Sequence, residues 1–412
     1  MKELTCIVIG GGYAGINTIK NIRQLFHDKS AQYKLKLVLI DKNAYHLRKV
    51  LLFKPAVRDK EIKVPLTHMF SEGVDIVQAI VKKVNPKQKK IQLEDANGHT
   101  KSLNYDLLVL AIGNDLKKPD FSQSGIALTS TDESTKIREK WQANLKKASS
   151  IHDEETRRKL LTIAVCGAGI SGIETAAELA YYAREDAKFF GIDPTTVNIH
   201  LINAKKRLFS NGPEKVGKKL ENKLKSLGVR VIHETKATTL ENDILTLSNN
   251  HTLLLGLCIW TLGMQPHPLL HNIGLATTPE GYLNVDSSYR VKEAEGVYSI
   301  GDCAQISDPL TGKKDGKTCK EAIAQAERLA NVILADLEQK PAPHHQSFME
   351  LFCFGLGPED GLVWIHKWGL DLILTGKVGN AFRKWTWSSA SLISKVKEDP
   401  VLNDSHSKTM RE

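Results

Sequence analysis

Short apolar runs alternate with amphipathic stretches along most of the chain, and glycines mark many of the transitions. Residues 6–9 form one such run, residues 16–26 follow with helical spacing, and a second run at residues 35–40 ends in Asp41. Apolar runs this short, bounded by turn residues, are typical of strands buried on both faces of a parallel sheet. The pattern therefore predicts a strand–helix–strand unit with an acid at the end of its second strand.

The same alternation returns in the second part of the chain. It predicts a strand at residues 161–165, a helix to about residue 184 and a strand at residues 197–202. Further strands that end near a glycine are predicted within residues 105–113, 260–266 and 296–304, and a helix at 320–337. Strands that alternate with helices favour parallel sheets, so the predicted fold class is α/β.

The glycines that follow the first strand of each unit have the spacing G-x-G-x-x-G. They are Gly10, Gly12 and Gly15, and then Gly167, Gly169 and Gly172. In such a motif the first glycine makes a tight turn, the second admits a diphosphate, and the third lets the helix pack closely on the strand. The helix N-terminus then offers free N–H groups to the phosphates. Two copies predict two Rossmann-like domains and two dinucleotides, of which a flavin and a nicotinamide are the economical pair.

Composition and charge narrow the classes of protein. The chain has 412 residues and a formal net charge of +10, which by itself suits a nucleic-acid or an anionic membrane partner. No nucleic-acid-binding module accompanies that charge, so we expect no nucleic-acid partner. The six cysteines form no C-x-x-C pair and the fourteen histidines have no ligand spacing. We therefore expect no metal site and a reduced, cytoplasmic setting.

Four further segments carry a family resemblance. They are residues 41–46 (DKNAYH), 105–113 (YDLLVLAIG), 260–266 (WTLGMQP) and 301–304 (GDCA). With the two glycine motifs, they make residues 3–340 resemble the flavoprotein oxidoreductases that have two dinucleotide-binding domains. Within that group the chain looks most like the type II NADH dehydrogenases, which are NAD(P)H:quinone oxidoreductases.

The resemblance implies the domain organisation and the cofactors. An FAD-binding domain would comprise residues 1–118 and 285–340, an NAD(P)H-binding domain residues 119–284, and a small C-terminal module residues 341–412. Hydride would pass from NADH or NADPH to FAD, and two electrons would then pass to an acceptor, a quinone by resemblance. Residues expected at FAD are Gly10, Gly12, Tyr13, Ala14, Gly15, Asp41, Lys42, His46, Val81, Ala111, Gly113, Asp302 and Ala304. Residues expected at NAD(P)H are Gly167, Gly169, Ile170, Gly172, Glu174, Asn203 and Gly263.

Two departures from the family pattern leave the substrates open. Asn203 stands where NADH-preferring members have a carboxylate, and Lys205, Lys206 and Arg207 follow it, so that NADPH use becomes an equal alternative. At the expected acceptor helix, Lys320 and Ala324 replace two glutamines of the family. Lys320 is the catalytic candidate, placed near the flavin to stabilise negative charge. The equal alternative is that the acceptor is neither ubiquinone nor menaquinone.

Two other functions fit the same motifs. A sulfide:quinone oxidoreductase uses separated cysteines at the flavin, and Cys319 and Cys353 are the candidates here. A flavin-binding redox sensor, similar to apoptosis-inducing factor, would bind NAD(P)H with little turnover. Fast oxidation of NADPH with a quinone as acceptor would favour the dehydrogenase over the redox sensor.

The last part of the chain predicts a separate module. Residues 341–345 read as a linker in which His344 and His345 are solvated, residues 352–357 and 361–365 as a hairpin, and residues 378–397 as a helix. That helix is basic, and its predicted apolar face includes Phe382, Trp385, Ser389, Leu392 and Val396, with Trp387 as a second aromatic anchor. The alternatives are contact with a membrane, at its cytoplasmic face, and packing on the protein or on a homodimer partner.

Overall fold

The computed structural model describes residues 2–27, 32–119 and 125–393. Its first part has an α/β core extended by a meander. The elements are β1 (Lys2–Ile9), α1 (Tyr13–His27), β2 (Tyr33–Asp41), β3 (Tyr45–Leu47), β4 (Lys63–Pro65), α2 (Leu66–Met69), β5 (Asp75–Asn85), β6 (Lys90–Asp95), β7 (Thr100–Asn104), β8 (Leu107–Leu110) and β9 (Asn114–Leu116).

The middle part repeats the strand–helix alternation. The elements are β10 (Ile126–Ala127), α3 (Thr131–Ala148), α4 (Glu154–Leu160), β11 (Thr162–Cys166), α5 (Ile170–Phe189), β12 (Asn198–Ile202), α6 (Glu214–Ser226), β13 (Val229–Ile232), β14 (Ala237–Glu241), β15 (Ile244–Leu247), β16 (Thr252–Leu254), β17 (Leu257–Trp260), β18 (Met264–Pro266) and β19 (Leu283–Asn284).

The last part closes the first sheet and adds a small module. The elements are β20 (Val297–Ser299), β21 (Ala304–Gln305), α7 (Cys319–Leu337), β22 (Glu350–Gly355), β23 (Gly361–Lys367), β24 (Leu370–Thr375) and α8 (Gly376–Ala390).

The first sheet has the strand order β20-β8-β1-β2-β5-β6-β7, and its strands from β20 to β5 are parallel. The apolar runs of β1 and β2 are buried because α1 and α7 cover one face, where Val8 and Leu39 pack against Ile16 and Ile333. Residues of opposite alternation, such as Ile7, face the other core cluster. Strand β20 comes from late in the chain, so this unit is assembled from two separate segments.

The second sheet has the order β10-β17-β11-β12-β13 and is parallel throughout. Helices α3, α5 and α6 contribute to the large core cluster on one face. The antiparallel sheet β14-β15-β16 covers the other face, where Leu245 and Leu247 lie in one cluster with Ala164 and Cys166. Antiparallel pairing of β9 with β18 connects the two units.

The C-terminal module differs from its predicted form. The predicted hairpin is the start of a three-stranded antiparallel sheet, β22-β23-β24, because residues 370–375 pair with β23. Helix α8 ends at Ala390, and the predicted helical residues 394–397, with Val396, lie outside the described residues. Among residues 2–27, 32–119 and 125–393, no helix is long and apolar enough to cross a membrane.

Two side chains of this module are wrongly predicted. Trp387 is 2% exposed and packs against Phe53, 6.0 Å between ring centroids, so it is a core residue and no membrane anchor. His345 is 2% exposed rather than solvated, because its backbone and its ring both find hydrogen-bond partners inside the protein.

Candidate active site

The first glycine motif forms a tight turn whose backbone leaves no room for side chains at two positions. Gly10 has φ +109°, and a Cβ there would collide with the Ala111 carbonyl. A Cβ at Gly15 would collide with the Gly10 carbonyl, whereas a Cβ at Gly12 would meet nothing within 4 Å. The middle glycine therefore borders open space in front of the N-terminus of α1.

The second motif has the same construction. Gly167 has φ +115°, and a Cβ there would collide with the Thr261 carbonyl. A Cβ at Gly172 would collide with the Gly167 carbonyl. A Cβ at Gly169 would again meet nothing within 4 Å. An open middle glycine before a helix N-terminus is what a dinucleotide diphosphate requires, so the residues present fit one dinucleotide in each unit.

The two turns lie at opposite ends of one short ribbon. Strand β8 leads past Ala111 to Gly113, and β17 leads past Thr261 to Gly263; both glycines have positive φ and open space at the Cβ position. The strands that follow them, β9 and β18, then pair with each other. Both candidate dinucleotide sites therefore open toward the same junction between the units.

The residues predicted at the first turn divide into two groups. Asp41 lies at the turn, where its carboxylate accepts hydrogen bonds from the backbone N–H groups of Gly11 at 2.6 Å and Asn43 at 2.7 Å. His46 lies behind the turn, fully buried, with Nδ1 2.9 Å from the Gly11 carbonyl. Burial lowers the pKa of His46 to about 4, so the ring is neutral and supports the loop.

The other residues predicted at FAD lie at different distances from the first turn. Lys42 is exposed beside Asp41, Val81 is a core residue of β5, and Ala14 packs so closely on the Gly301 turn that a Cβ at Gly301 would come within 2.9 Å of it. The hydroxyl-bearing Tyr13 packs edge-on against His46, with 4.9 Å between ring centroids. Of these, Ala14 and Tyr13 border the turn directly.

Asp302 lies in a cluster that the sequence did not reveal. Asn114 Nδ2 donates to Asp302 Oδ2 at 3.0 Å, and Lys49 Nζ donates to the Asn114 carbonyl at 3.0 Å. Lys317 Nζ donates to the carbonyls of Asp302 at 2.9 Å and Ala304 at 3.0 Å. Burial raises the pKa of Asp302 to about 6 and lowers the pKa values of both lysines. We call this cluster of Asp302, Asn114, Lys49 and Lys317 the candidate flavin pocket; it contains a carboxyl group whose pKa is about 6.

Glu174 makes different contacts from those predicted. Arg383 of α8 donates from Nε to Oε1 at 2.9 Å and from Nη2 to Oε2 at 3.1 Å, and the Gly355 N–H donates to Oε1 at 2.8 Å. All these groups are buried, so the pair joins α5 to the C-terminal module, and contact of Glu174 with a nicotinamide stays a prediction. Because this ion pair buries Arg383, the residue is not part of the basic surface expected of α8.

A second buried ion pair lies one helical turn further along α5. Lys54 Nζ donates to Glu178 Oε1 at 2.8 Å, and both side chains are buried. The Trp387 ring contacts both cations, with its centroid 5.8 Å from Lys54 Nζ and 4.8 Å from Arg383 Cζ. Two carboxylates of one helix are thus neutralised by cations from two other parts of the chain, which no local pattern indicates.

Most polar side chains of the loop after β12 form hydrogen bonds within the loop or with its neighbours. Asn203 Nδ2 donates to the Lys205 carbonyl at 3.0 Å and lies 2.9 Å from His233 Nδ1. Arg207 donates to the carbonyls of Phe209 and Ser210, both at 2.9 Å. Three cations are expected near the ribose. Arg207 instead binds these loop carbonyls, whereas Lys205 and Lys206 are exposed.

Lys320 lies between α7 and the C-terminal sheet. Its Nζ donates to the Leu351 carbonyl at 2.6 Å and lies 3.9 Å from Cys353 Sγ. Burial lowers the pKa of Lys320 and raises the pKa values of Cys319 and Cys353. The two thiols are therefore protonated at neutral pH, which is unfavourable for a nucleophilic role.

Comparisons with known proteins agree with this geometry. The family model for pyridine nucleotide-disulphide oxidoreductases matches residues 4–326. The type II NADH:quinone oxidoreductase of Haemophilus influenzae is 27% identical over 376 residues, with 81% of each chain covered.

Two solved structures are similar over nearly the whole chain. NDH2 from Plasmodium falciparum in complex with NADH has a TM-score of 0.79 at 18% identity, with 95% of this chain and 97% of that chain covered. The sulfide:quinone oxidoreductase of Aquifex aeolicus has a TM-score of 0.74 at 19% identity, with 97% and 94% covered. Both show the same fold, so the predicted α/β class with two dinucleotide-binding units is confirmed.

Proposed function

The chain belongs to the pyridine nucleotide-disulphide oxidoreductase family, and from this premise we propose that it is a flavoprotein NAD(P)H dehydrogenase. The observation that carries the proposal is the pair of matched glycine turns, each with an open middle glycine, at the two ends of the β9–β18 ribbon. Residues 1–118 and 285–340 would form the FAD-binding domain, and residues 119–284 the NAD(P)H-binding domain. FAD, when bound, would accept a hydride from NAD(P)H and pass two electrons to an acceptor.

The first unit would hold FAD by backbone and side-chain contacts. The backbone at Gly12 would approach the diphosphate, and Asp41 retains lone pairs for an adenosine ribose because its backbone contacts use only part of the carboxylate. Asp302, Asn114 and Lys49 would face the flavin side. These groups bind and orient, which is the contribution a protein makes when the cofactor carries the chemistry.

The nicotinamide substrate would be NADH or NADPH with little discrimination. Asn203 offers no carboxylate to repel a 2′-phosphate, and the exposed Lys205 and Lys206 adjoin it. Substituting Lys205→Ala together with Lys206→Ala should lower kcat/KM for NADPH several-fold and leave kcat/KM for NADH unchanged. The Lys223→Ala variant, a lysine on α6 paired with Asp360, is the control.

The acceptor would be a quinone, because the Haemophilus influenzae relative is an NADH:quinone oxidoreductase. Lys320 would present positive charge between α7 and β22, where it could stabilise negative charge during reduction. The thiols of Cys319, which is partly buried, and Cys353, which is buried, favour this function over sulfide oxidation, because desolvation raises their pKa values and keeps them protonated.

The C-terminal module would contact a membrane surface. A group of its exposed apolar side chains comprises Trp368, Leu370, Leu372, Val378 and Trp385. They lie on the β23–β24 turn, on β24 and on α8, with the exposed Lys367 and Lys377 next to them, a composition that suits an anionic interface. Co-sedimentation with vesicles of anionic phospholipid should fall for a Trp368→Ser/Leu370→Ser variant but not for Phe189→Ser, which removes an exposed ring on α5. Equal binding by all three proteins would exclude this surface.

Anaerobic stopped-flow spectroscopy tests the whole proposal. The purified protein should carry a flavin whose visible absorbance is bleached by NADH or NADPH and restored by a naphthoquinone or a ubiquinone analogue. A long-lived reduced protein that no quinone reoxidises would identify the redox sensor instead. Faster bleaching by sulfide than by either nicotinamide would identify the sulfide:quinone oxidoreductase.

A further inference from the structure

A buried histidine ties the connector after α7 to the interior. The His345 backbone N–H donates to the Ser287 carbonyl at 2.6 Å, and its ring lies 5.6 Å from the Tyr289 ring, centroid to centroid. Both side chains are buried. Neither residue belongs to the glycine turns or to the acceptor side, so the proposed function leaves this histidine without a role.

The His345 ring is the centre of a continuous hydrogen-bonded chain. His345 Nδ1 is 2.9 Å from the Tyr289 hydroxyl, which accepts from Arg328 Nη1 at 3.0 Å. On the other side, His345 Nε2 is 3.1 Å from Asp315 Oδ1, and Gln325 Nε2 donates to Asp315 Oδ2 at 2.7 Å. One assignment satisfies every partner: Tyr289 donates to Nδ1 of a neutral ring, and Nε2–H donates to an ionised Asp315.

This series of hydrogen bonds ends on the backbone beside the candidate flavin pocket. The Gly301 N–H donates to Gln325 Oε1 at 2.8 Å. Gly301 has φ +73° and precedes Asp302, and a small cavity beside this turn is lined by Gly301, Asp302, Asp315 and Gln325. The Gly301 N–H keeps its proton when it donates to Gln325, so this series of hydrogen bonds does not conduct protons to the pocket.

We propose that His345 and Asp315 are positioning residues for FAD, which act through Gln325 to hold the Gly301–Asp302 turn in its binding conformation. The inference rests on the proposed function, since it assigns the turn to FAD. The physical reason is that Gln325 can rotate about its own bonds, and its amide is held in one orientation because Asp315 accepts from its Nε2 while Gly301 donates to its Oε1. Asp315 in turn is held by His345, so an unbranched series of contacts runs from the connector to the pocket.

The test compares three variants at the two adjacent histidines. His345→Ala removes the donor to Asp315 and should accelerate FAD dissociation about tenfold, as loss of one buried charge-assisted hydrogen bond would. His345→Gln places an amide N–H near the position of Nε2 and should restore slow dissociation. His344→Ala is the matched control, because His344 is exposed and contacts Ser287 and Ser288 outside the chain.

The measurements are the FAD dissociation rate, followed by the rise of flavin fluorescence, and the visible circular dichroism of the bound flavin. The expected result is a faster rate and altered dichroism for His345→Ala only. Equal rates for His345→Ala and His344→Ala would overturn the inference while leaving the proposed function intact. Failure of His345→Gln to restore the rate would also overturn it. A wild-type protein that binds no flavin would instead contradict the proposed function itself.

Discussion

The two glycine turns are nearly the same in backbone and opposite in the polar side chains around them. Two residues after the third glycine, the first unit has Asn17 and the second has Glu174. At the end of the second strand the order is reversed, with Asp41 in the first unit and Asn203 in the second. The amide and the acid have exchanged places between the two copies.

Both helices that follow the turns contact the same C-terminal segment, but by different means. Asn17 Nδ2 donates to the Ala390 carbonyl at 3.1 Å, a neutral contact. Glu174 makes the buried, bidentate ion pair with Arg383 of the same C-terminal helix. The difference teaches that the backbone of each turn leaves space for a dinucleotide, whereas the neighbouring side chains set how the C-terminal module is docked. Under the proposed function, the strand-end side chains would also select the ribose.

Substitution of the third glycine should separate the two turns most strongly. Gly15→Val forces a side chain into the Gly10 carbonyl and should abolish flavin binding, whereas Gly172→Val does the same at Gly167 and should keep the flavin. In Gly172→Val the rate of flavin reduction at a fixed low NADH concentration should fall at least about 100-fold, which corresponds to about 2.7 kcal/mol. Visible absorbance of the purified proteins and anaerobic reduction are the measurements. Loss of flavin from Gly172→Val alone would reverse the assignment of the two sites.

The largest difference in stability, as opposed to cofactor binding, should come from the position two residues beyond the third glycine. Glu174→Gln leaves the Arg383 guanidinium buried without a counter-charge, which should lower the free energy of unfolding by about 3–5 kcal/mol. Asn17→Ala removes one neutral hydrogen bond and should cost about 1 kcal/mol. Urea unfolding of both variants measures the difference.

An exposed ion pair is the control for that experiment. Lys34 and Glu3 are 2.6 Å apart at the surface, and Lys34→Gln should leave the unfolding midpoint unchanged because solvent screens the pair. A cost for Glu174→Gln no larger than that for Asn17→Ala would mean that the charge of Glu174 does not dock the helix.

The sequence predicted what short-range patterns encode. The two glycine motifs, the apolar runs of β1, β2, β11 and β12 and the glycines that end β8 and β17 are local, so each could be recognised from a few neighbouring residues. The packing of Trp387 was predicted wrongly because helical spacing alone does not say which side of α8 meets the protein.

The missed contacts join residues that are far apart in the chain. Arg383 meets Glu174 across 209 positions, Asn114 meets Asp302 across 188, and Lys54 meets Glu178 across 124. No composition or spacing signal connects such pairs. His345 was placed in solvent because its neighbours Pro341 and Pro343 indicate a linker, whereas its partners Tyr289 and Asp315 come from other segments.

The stability of the protein should also depend on pH through Asp302 in the candidate flavin pocket. Burial raises the pKa of this carboxyl in the folded protein to about 6, above its ordinary 3.8. The folded state therefore holds the proton more tightly, so this contribution to stability is complete below about pH 4 and is lost as the pH rises through about 6. The difference corresponds to about 3 kcal/mol at most. Urea unfolding of the flavin-free protein between pH 4 and 7 should show this loss, and Asp302→Asn should remove it; an unchanged slope in the variant would refute the assignment.

Exchange of the strand-end residues should produce the smallest and most specific effect. Asn203→Asp introduces a carboxylate that accepts from a ribose 2′-hydroxyl and repels a 2′-phosphate, so the ratio of kcat/KM for NADH over NADPH should rise about 10- to 100-fold, or about 1.4–2.7 kcal/mol. Asn203→Ala controls for the loss of the amide contacts to Lys205 and His233 and should change both substrates alike. Asp41→Asn makes the reciprocal exchange in the first unit and should weaken flavin binding without altering the nicotinamide ratio. If Asn203→Asp lowered kcat/KM for the two nicotinamides equally, the strand end of the second unit would not select the ribose, and the exchange of acid and amide would concern only the loop after β12.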